Sequence, residues 1–402
     1  MTRIEGLAEE PEVLSGGPRE RSWSPPPSAI LVVTLGLIAV ALAGFGGYRV
    51  GITHERSRQD AASRDVGEVI AISRGRPSGE GFGAGSIWVT LWSAPGFRPG
   101  HRQSGYVARY DPTTRRMVAE IPVGSQPLAI QPGFGSMWVT NAGDGTVTRI
   151  DPTSNHILKT IKVGQVPYQI SPAGGGMWVA TQDAAVKIDP ITNRVVRRTP
   201  YPHPPHAETP TTAGVALDAN AHGVWVSTAF GTVLRLRPSD GRLLKKIPVQ
   251  PVPRSSPGMV VIDHNNVWVS NYGLTGGIGP GAGDAMYGTG NRVLEIDATS
   301  NKIVNRVPSA GYPVESMLSH DNTLLMVGVD YQHGKSVLIR TDLPYQELTY
   351  VRPLAGSSFD IVDTHGSLWV PSWDDRTLQI LPDSGGIPNS PQHGDATYSS
   401  HQ

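Results

Sequence analysis

The chain has 402 residues, with 34 Lys and Arg against 34 Asp and Glu, so its formal net charge is zero. Charged residues make up 17% of the chain, below the roughly 25% that is usual for soluble domains. This balance argues against a basic nucleic-acid-binding surface and against an acidic disordered chain. The absence of cysteine excludes disulfides and thiolate metal sites. With 47 Gly, 35 Pro and more Trp than Phe, the composition is typical of a turn-rich β-protein.

The first candidate element is an uncharged apolar segment, 29–48, with the sequence AILVVTLGLIAVALAGFGGY. As a helix it is long enough to cross a bilayer once. Ala41-Leu42-Ala43 before Gly44 resembles a cleavage site, so a cleaved signal peptide is the competing interpretation. The preceding residues carry five Glu against three Arg, unlike the short basic start of a signal peptide. We therefore predict an uncleaved membrane anchor.

An internal repeat occupies the rest of the chain. Six of the nine Trp stand in the same context, an apolar residue before and a Val after, and a seventh copy has Leu in place of Trp. The central residues are Trp88, Trp138, Trp178, Trp225, Trp268, Leu325 and Trp369. A period of 40 to 57 residues with short alternating apolar segments predicts four strands per unit, repeated radially. The fold class is therefore predicted to be all-β, a seven-bladed β-propeller.

Each unit ends in a tight turn followed by a last strand. Asp151-Pro152-Thr153-Ser154-Asn155 is one such turn; Pro favours a type I turn, Asp caps it and Asn tolerates the left-handed position that follows. The final unit has only three predicted strands, Phe359–Val362, Ser367–Ser372 and Thr377–Leu381. An unassigned strand, Val69–Ile72, precedes the first unit. We predict that it supplies the outer strand of the last blade and closes the ring.

The unit GSMWVTNAGDGTVTRIDPTSNHILKTIKVG resembles the YVTN-type propeller repeat and, more loosely, the streptogramin lyase (virginiamycin B lyase) propellers. The resemblance covers about 66–384 and implies a propeller fold, whereas propellers carry many functions. The predicted organisation is a cytoplasmic segment 1–28, the transmembrane helix 29–48, a linker 49–65, the propeller 66–384 and a disordered tail 385–402.

The orientation of the predicted membrane helix is not decided by its flanking arginines, which are nearly even in number on the two sides. The type of domain favours a single-pass protein of the cell membrane with its propeller outside the cytoplasm. Ala39, Ala43 and Gly47 lie on one face of the predicted helix and could pair two copies weakly.

Long insertions occur at only one face of the predicted propeller. They are Leu91–Gly105, Pro200–Gly214, Asn271–Gly290 and Asp330–Lys335. Loops that gather at one face favour a binding surface. The candidate ligand-binding residues on this face are Trp92, His101, His203, His206, Tyr272, Tyr287, Tyr331 and Trp373, the aromatic ones being suited to stacking. His203 and His206 have no identifiable third ligand, so no metal site is predicted there.

The innermost strands are predicted to line a central channel. Most copies place small or apolar residues there, but Tyr168, Gln169, Glu315 and Asp360 are polar or ionisable and are further candidates. Paired carboxylates could bind a cation or transfer a proton, and the competing interpretation is a water-filled channel with solvated carboxylates.

Two functions are compatible with these observations. The first is a membrane-anchored module that binds a protein, a peptide or a glycan through the long-loop face, with no cofactor and no nucleic acid. The alternative, implied by the resemblance to streptogramin lyases, is a lyase with a His/Glu site and a magnesium ion. Glu208 and Glu315 lack the neighbouring histidines that such a site would require. A binding module is therefore the favoured prediction, and no catalytic residue is assigned.

Overall fold

The computed structural model of the chain describes residues 67–93, 105–202, 214–228, 231–249, 255–273, 292–320, 323–330, 335–343, 347–364 and 366–382. By its contacts the chain divides into two units, Met1–Gly47 and Tyr48–Gln402, and all of these residues belong to the second. They include no helix with the length and hydropathy that a membrane crossing requires. The predicted segments 1–28, 29–48, 49–65 and 385–402 lie outside the described residues.

Within the described residues, 28 strands form seven four-stranded antiparallel sheets. Blade 1 consists of β2 (Arg76–Gly83), β3 (Ser86–Trp92), β4 (Gly105–Tyr110) and β5 (Met117–Val123). Blade 2 consists of β6 (Pro127–Gly133), β7 (Ser136–Asn141), β8 (Thr146–Ile150) and β9 (Ile157–Lys162). Blade 3 consists of β10 (Ile170–Ala173), β11 (Gly176–Ala180), β12 (Ala184–Asp189) and β13 (Arg194–Pro200). Blade 4 consists of β14 (Gly214–Asn220), β15 (Gly223–Thr228), β16 (Thr232–Leu236) and β17 (Leu243–Pro248).

The remaining blades follow the same order of strands. Blade 5 consists of β18 (Ser255–Asp263), β19 (Asn266–Gly273), β20 (Arg292–Asp297) and β21 (Lys302–Pro308). Blade 6 consists of β22 (Val314–His320), β23 (Thr323–Asp330), β24 (Lys335–Asp342) and β25 (Glu347–Pro353). Blade 7 consists of β26 (Val362–Asp363), β27 (Ser367–Ser372), β28 (Thr377–Pro382) and β1 (Glu68–Ala71). The first strands of neighbouring blades contact one another, so they surround the axis.

The ring is closed by the N-terminal strand, as predicted. β1 pairs antiparallel with β28, from Glu68 opposite Ile380 to Ala71 opposite Thr377. This pairing gives the last blade its fourth strand and removes the exposed edge of β28. The seven-bladed all-β architecture is therefore confirmed.

The inner strand of blade 7 differs from the prediction. Phe359–Val362 was the expected strand, but β26 comprises only Val362 and Asp363, with an isolated bridge between Ser358 and Ser372 before it. The Asp360 carboxylate accepts the N–H of Ile361 at 2.9 Å.

The repeated Trp side chains form the centre of the packing between blades. All six are fully buried. In blades 1 to 4 a cation on the third strand lies over the indole ring, as with Arg149 at 4.8 Å from the ring centroid of Trp138. Cation–π contacts of this kind add to the burial of a large aromatic surface. The interpretation of these Trp as structural residues agrees with their burial.

The same cations also form hydrogen bonds to the following blade. Arg149 Nη1 donates to the carbonyl oxygen of Pro190 at 2.5 Å and to Asn193 Oδ1 at 2.8 Å, both in the turn between β12 and β13. Asn193 has φ +55°, so it supplies both the left-handed turn residue and the acceptor. Arg109 and Arg235 make equivalent bonds to the turns that contain Asn155 and Asn301.

Candidate functional site

The two faces of the propeller differ in the length of their connections. In each blade the first and second strands, and the third and fourth, are joined at one face, here called the short-turn face. The first-to-second connections include the two-residue turns 84–85, 134–135, 174–175, 221–222 and 264–265. The opposite face, here called the long-connection face, carries the connections 93–104, 201–213 and 274–291, whereas the turns 111–116, 151–156 and 237–242 of the short-turn face are each six residues long. The fourth predicted insertion, 331–334, comprises only four residues between β23 and β24. Because the strands form meanders, the three long connections join strand ends at this one face.

Most of the loop residues predicted to bind a ligand cannot be placed. His101, His203, His206, Tyr287 and Tyr331 lie outside the described residues. Tyr272 lies in β19, where its backbone pairs with Ser256 of β18 near the long-connection end of blade 5. The predicted roles of these residues in ligand binding stay predictions.

Trp92 and Trp373, also predicted to contact a ligand, pack against each other where blades 7 and 1 meet. Their ring centroids are 5.0 Å apart and their planes are nearly perpendicular, at 82°. Trp92 Nε1 donates to the carbonyl oxygen of Pro127 in blade 2 at 2.8 Å, and the Arg76 guanidinium lies 5.5 Å from the Trp373 ring. Both indoles are buried. They form a packed layer beneath the long-connection face, with little of either ring exposed.

Gln169 and Asp360 hold the same position of the repeat, nine residues before the Trp of their blades. Met259 holds this position in blade 5. Gln169 Nε2 lies 3.9 Å from Met259 Sδ, so side chains at this position from blades 3 and 5 meet in front of blade 4. The prediction that Gln169 lines the channel agrees with this contact.

Tyr168 and Glu315 are also near the axis. Tyr168 precedes β10 and donates its N–H to the carbonyl oxygen of Ala180 at 2.8 Å. Burial raises the pKa of the Tyr168 phenol to about 12, so the group is a neutral hydroxyl at neutral pH and cannot serve as a base. Glu315 lies half-buried on β22, where the register with β23 shifts between Val314 and Ser316.

Asp360 links three successive blades around the axis. Its carboxylate accepts a hydrogen bond from Ser316 Oγ of blade 6 at 3.0 Å and another from the N–H of Glu80 in blade 1 at 3.0 Å. The N–H of Ile361 is its third donor. Burial raises the pKa of Asp360, and these hydrogen bonds partly offset the rise by stabilising the charged form.

Asp218 makes the same arrangement in blade 4. It accepts from Ser171 Oγ of blade 3 at 2.9 Å, from the N–H of Ile262 in blade 5 at 2.9 Å and from the N–H of Ala219 at 2.7 Å. Burial raises its pKa as well. Asp218 thus links blades 3, 4 and 5, and Asp360 links blades 6, 7 and 1. Blade 2 belongs to neither group.

Glu80 is the most unusual charged group near the axis. Its side chain is 5% exposed, and among the described residues no group forms a hydrogen bond to either of its carboxyl oxygens. Burial, and secondarily the charge of Asp360, hold the pKa of Glu80 well above its usual value, while the nearby N–H of Val362 lowers it. Burial therefore favours the neutral form of the Glu80 carboxyl group.

Two glycines direct the Glu80 side chain toward blade 7. A Cβ on Gly79 would lie 2.0 Å from the carbonyl oxygen of Leu128, and one on Gly81 would lie 2.4 Å from that of Ile130. The backbone of β2 therefore lies directly against β6. Successive side chains alternate along a strand, so Glu80 faces the other way, toward Asp360.

The sequence contained a signal for both Glu80 and Asp218 that the prediction missed. Glu80 stands eight residues before Trp88, where every other unit has a buried apolar residue. Those residues are Ile130, Ile170, Leu217, Val260, Met317 and Ile361. Asp218 stands seven residues before Trp225, where no other unit has a charged residue. Alignment of the units on their Trp would have identified both.

The inner strands as a group are acidic. Together with the residue Asp360 they carry six carboxyl side chains and one Lys or Arg, which is Arg76. The Arg76 guanidinium is itself paired with Asp374 at 3.3 Å. Across the part of the chain that the structure describes, no three His, Cys, Asp or Glu side chains are grouped so that they could hold a metal ion. These carboxyl groups are spread along the inner strands from one face to the other, and those of Asp218 and Asp360 are bonded within the protein.

Comparison with known proteins supports the fold but identifies no family. No protein-family profile matches the sequence, and no curated protein matches it either. Among solved structures, hydrazine synthase of Kuenenia stuttgartiensis is 15% identical with a TM-score of 0.59, covering 78% of this chain and 97% of that one. The Pan2 WD40 domain of Neurospora crassa is 14% identical with a TM-score of 0.56, covering 80% and 96%. The computationally designed Ika8 protein is 11% identical with a TM-score of 0.53, covering 79% and 99%.

These likenesses and the strand topology define the class of protein. The described part of the chain is a seven-bladed β-propeller. At these levels of identity the likeness concerns the fold alone, because propellers of one architecture serve many functions.

Proposed function

We propose that the chain is a binding module anchored in the membrane by the segment 29–48, with its propeller outside the cytoplasm. The propeller binds a protein, a peptide or a glycan at its long-connection face. The observation that carries this proposal is the difference between the two faces. Every long connection leaves the sheets at one face, whereas the other face keeps tight, repeated turns. Loops that vary on a rigid scaffold are where propellers and other repeat folds place their binding residues.

The charged groups at the long-connection ends of the inner strands are nearly balanced. Arg76 begins β2, Glu315 is the second residue of β22 and Asp360 precedes β26. The other Asp residues of the inner strands, Asp218, Asp263 and Asp363, lie toward the short-turn ends. The charge therefore favours neither a basic nor an acidic ligand. The layer formed by Trp92 and Trp373 places an apolar floor beneath this face.

The course of the chain is compatible with display of that face. β1 runs antiparallel to β28 as the outer strand of blade 7, so it begins at the short-turn face. The linker that follows 29–48 therefore joins the propeller at the face opposite the long connections. A tether at this position leaves the proposed binding face unobstructed.

The test uses the full chain in lipid nanodiscs, probed with a library of displayed peptides and with a glycan array. Binders are then measured against a variant in which 274–291 is replaced by the short turn of blade 2, Ala142–Gly145. We expect at least a tenfold loss of affinity, and no loss in Thr113→Ser, a control in the exposed turn between β4 and β5 on the short-turn face of blade 1. Affinity that survives replacement of both 93–104 and 274–291 would show that the wrong face had been assigned.

A further inference from the structure

Two apolar side chains project from the short-turn face. Ile191, in the turn between β12 and β13, is 89% exposed, and Phe134, in the turn between β6 and β7, is 43% exposed. Every other large apolar side chain that is exposed among the described residues lies on an outermost strand. Phe134 and Ile191 are therefore distinct from the edge-strand residues and need a separate explanation.

Neither residue follows the pattern of its own repeat. The position of Phe134 is taken by Ala84 in blade 1 and Gly174 in blade 3. The position of Ile191, directly after the turn proline, is Thr113 in blade 1. The remaining equivalents of Ile191 are Thr153 and Ser239. Small or polar residues satisfy these turns elsewhere, so the turns themselves do not require Phe or Ile.

One guanidinium fixes both turns in place. Arg149 donates to the carbonyl oxygen of Phe134 at 3.4 Å through Nη2, and to Pro190 and Asn193 through Nη1. The N–H of Ile191 also donates to Asp189 Oδ1 at 2.7 Å. These bonds hold the backbones of the two turns beside each other, and the side chains of both Phe134 and Ile191 are exposed there.

The surroundings of the two residues are basic. The third-to-fourth-strand turns and outer strands of blades 2 to 4 are the segments 151–162, 189–200 and 237–248. They contain nine Lys and Arg against three Asp. Lys162 lies at the long-connection end of β9, opposite Thr146, and Arg198 is paired with Asp183, so these two do not add to the charge of the rim. The remaining basic side chains still outnumber the Asp and leave this rim with a net positive charge, although the chain as a whole is neutral.

Lys and Arg on an outer strand also prevent pairing between sheet edges. That role accounts for the charges on β9, β13 and β17, but not for Phe134 and Ile191, which lie in turns. Two isolated apolar tips are too small for a stable protein interface, which buries about 800 Å² per partner. A second copy of the chain would place the same positive rim against itself in a two-fold dimer.

We propose that the short-turn rim of blades 2 to 4 contacts an anionic lipid surface, with Phe134 and Ile191 inserted into the headgroup region. Basic residues near such a surface are attracted to its charge, and a few apolar side chains add to the binding by burial. The inference rests on the membrane-anchoring part of the proposed function, because the linker from 29–48 reaches β1 at this same face. It does not depend on the identity of the ligand.

The experiment uses the absence of cysteine in the full chain. Thr192→Cys, beside Ile191, and Asp375→Cys, at the long-connection face of blade 7, each carry one environment-sensitive fluorophore. Full-length protein is mixed with phosphatidylcholine vesicles, with or without phosphatidylglycerol, that contain spin-labelled quencher lipids. We expect a blue shift and at least threefold quenching for the label at position 192, stronger with the anionic lipid, and neither effect for the label at position 375.

A second variant separates contact from folding. Phe134→Gly with Ile191→Thr introduces residues that the same turns carry in other blades, and Gly suits the φ of +50° at position 134. Quenching at position 192 should fall to the level of position 375, with unchanged thermal unfolding. No quenching at position 192 in the parent protein, or equal quenching in this variant, overturns the proposal. A blue shift without quenching identifies a protein contact and overturns it too.

Flotation with neutral vesicles reports on the anchor separately. A chain that floats but shows no quenching at position 192 retains its anchor and lacks the rim contact. A chain that does not float, yet shows quenching that depends on phosphatidylglycerol, lacks the anchor and retains the rim contact. The two proposals can therefore fail independently.

Discussion

Asp218 and Asp360 lie three blades apart and make the same three hydrogen bonds. Each accepts a serine hydroxyl from the preceding blade, a backbone N–H from the following blade and the N–H of its own next residue. Asp218 stands seven residues before the Trp of its blade and Asp360 nine, so the two sites differ by two positions along the strand. The inner edges of most blades are thus joined by charged hydrogen bonds as well as by apolar packing.

Removal of one of these carboxylates should destabilise the propeller strongly. Asp218→Ala leaves the N–H of Ile262 without its acceptor and removes the carboxylate that joins Ser171 and Ala219 to blade 5. We expect a loss of about 2–4 kcal/mol in the free energy of unfolding, measured by urea denaturation. Ser171→Ala removes the bonds of one hydroxyl to Asp218 and to the backbone of Ala219, leaves the bond between blades 4 and 5, and should lose about 1 kcal/mol. Equal effects of the two substitutions would show that Asp218 does not join the blades.

Replacement of Glu80 should have the opposite effect. The six equivalent residues are apolar and buried, and Glu80 has a buried carboxyl group without a hydrogen-bond partner among the described residues. Glu80→Met, which copies Met317 of blade 6, should raise the free energy of unfolding at neutral pH by about 1–3 kcal/mol. The measurement is urea denaturation. A decrease in stability would mean that the carboxyl group makes a favourable interaction in the folded protein.

Glu80 should also give the propeller a characteristic dependence on pH. Because burial raises its pKa in the folded state, the folded protein keeps this proton to a higher pH than the unfolded chain does. The resulting stabilisation is complete below the unfolded value of 4.5 and is lost as the pH rises through the folded pKa.

The comparison that isolates this effect is between the parent protein and Glu80→Gln. Between pH 4.5 and neutral pH the parent protein should lose stability relative to Glu80→Gln. The difference between their unfolding free energies should change by at most about 1.4 kcal/mol per pH unit. Urea denaturation at three pH values measures it. A difference that is constant with pH would place the folded pKa of Glu80 at its ordinary value.

The hydrogen bonds between Arg149 and the β12–β13 turn of blade 3 predict that two substitutions of Asn193 lower the stability by different amounts. Asn193→Gly keeps the left-handed φ of +55° and removes the acceptor for Arg149, which should cost about 1 kcal/mol. Asn193→Ala adds the strain of a Cβ at positive φ, about 1 kcal/mol more. Thermal unfolding of both variants gives the two contributions separately. An Ala variant as stable as the Gly variant would mean that the turn relaxes to another conformation.

Much of the fold could be predicted because one residue type marks every blade. The Trp spacing located seven units, and the three strands of the last unit indicated that Val69 and its neighbours would complete it. The turn that contains Asn155 was also predicted correctly, with the Asn in the left-handed conformation. These features depend on local sequence or on a strict repeat, and both are visible along the chain.

The contacts near the axis could not be predicted in the same way. Asp360 was identified as a channel residue, but its bonds to Ser316 and to the N–H of Glu80 join residues that are far apart in sequence and become neighbours only in the closed ring. Glu80 was missed because it lies between two glycines and resembles part of a turn, although β2 continues through it.

The closure of the ring by β1 has a mechanical consequence. β1 is antiparallel to β28 and begins at the short-turn face, so a pull on the preceding segment along the strand direction loads all the hydrogen bonds of that pair in shear. Bonds loaded together resist separation better than bonds opened one after another. The four residues of β1, Glu68–Ala71, thus transmit tension from the linker directly to the strand pair that closes the ring.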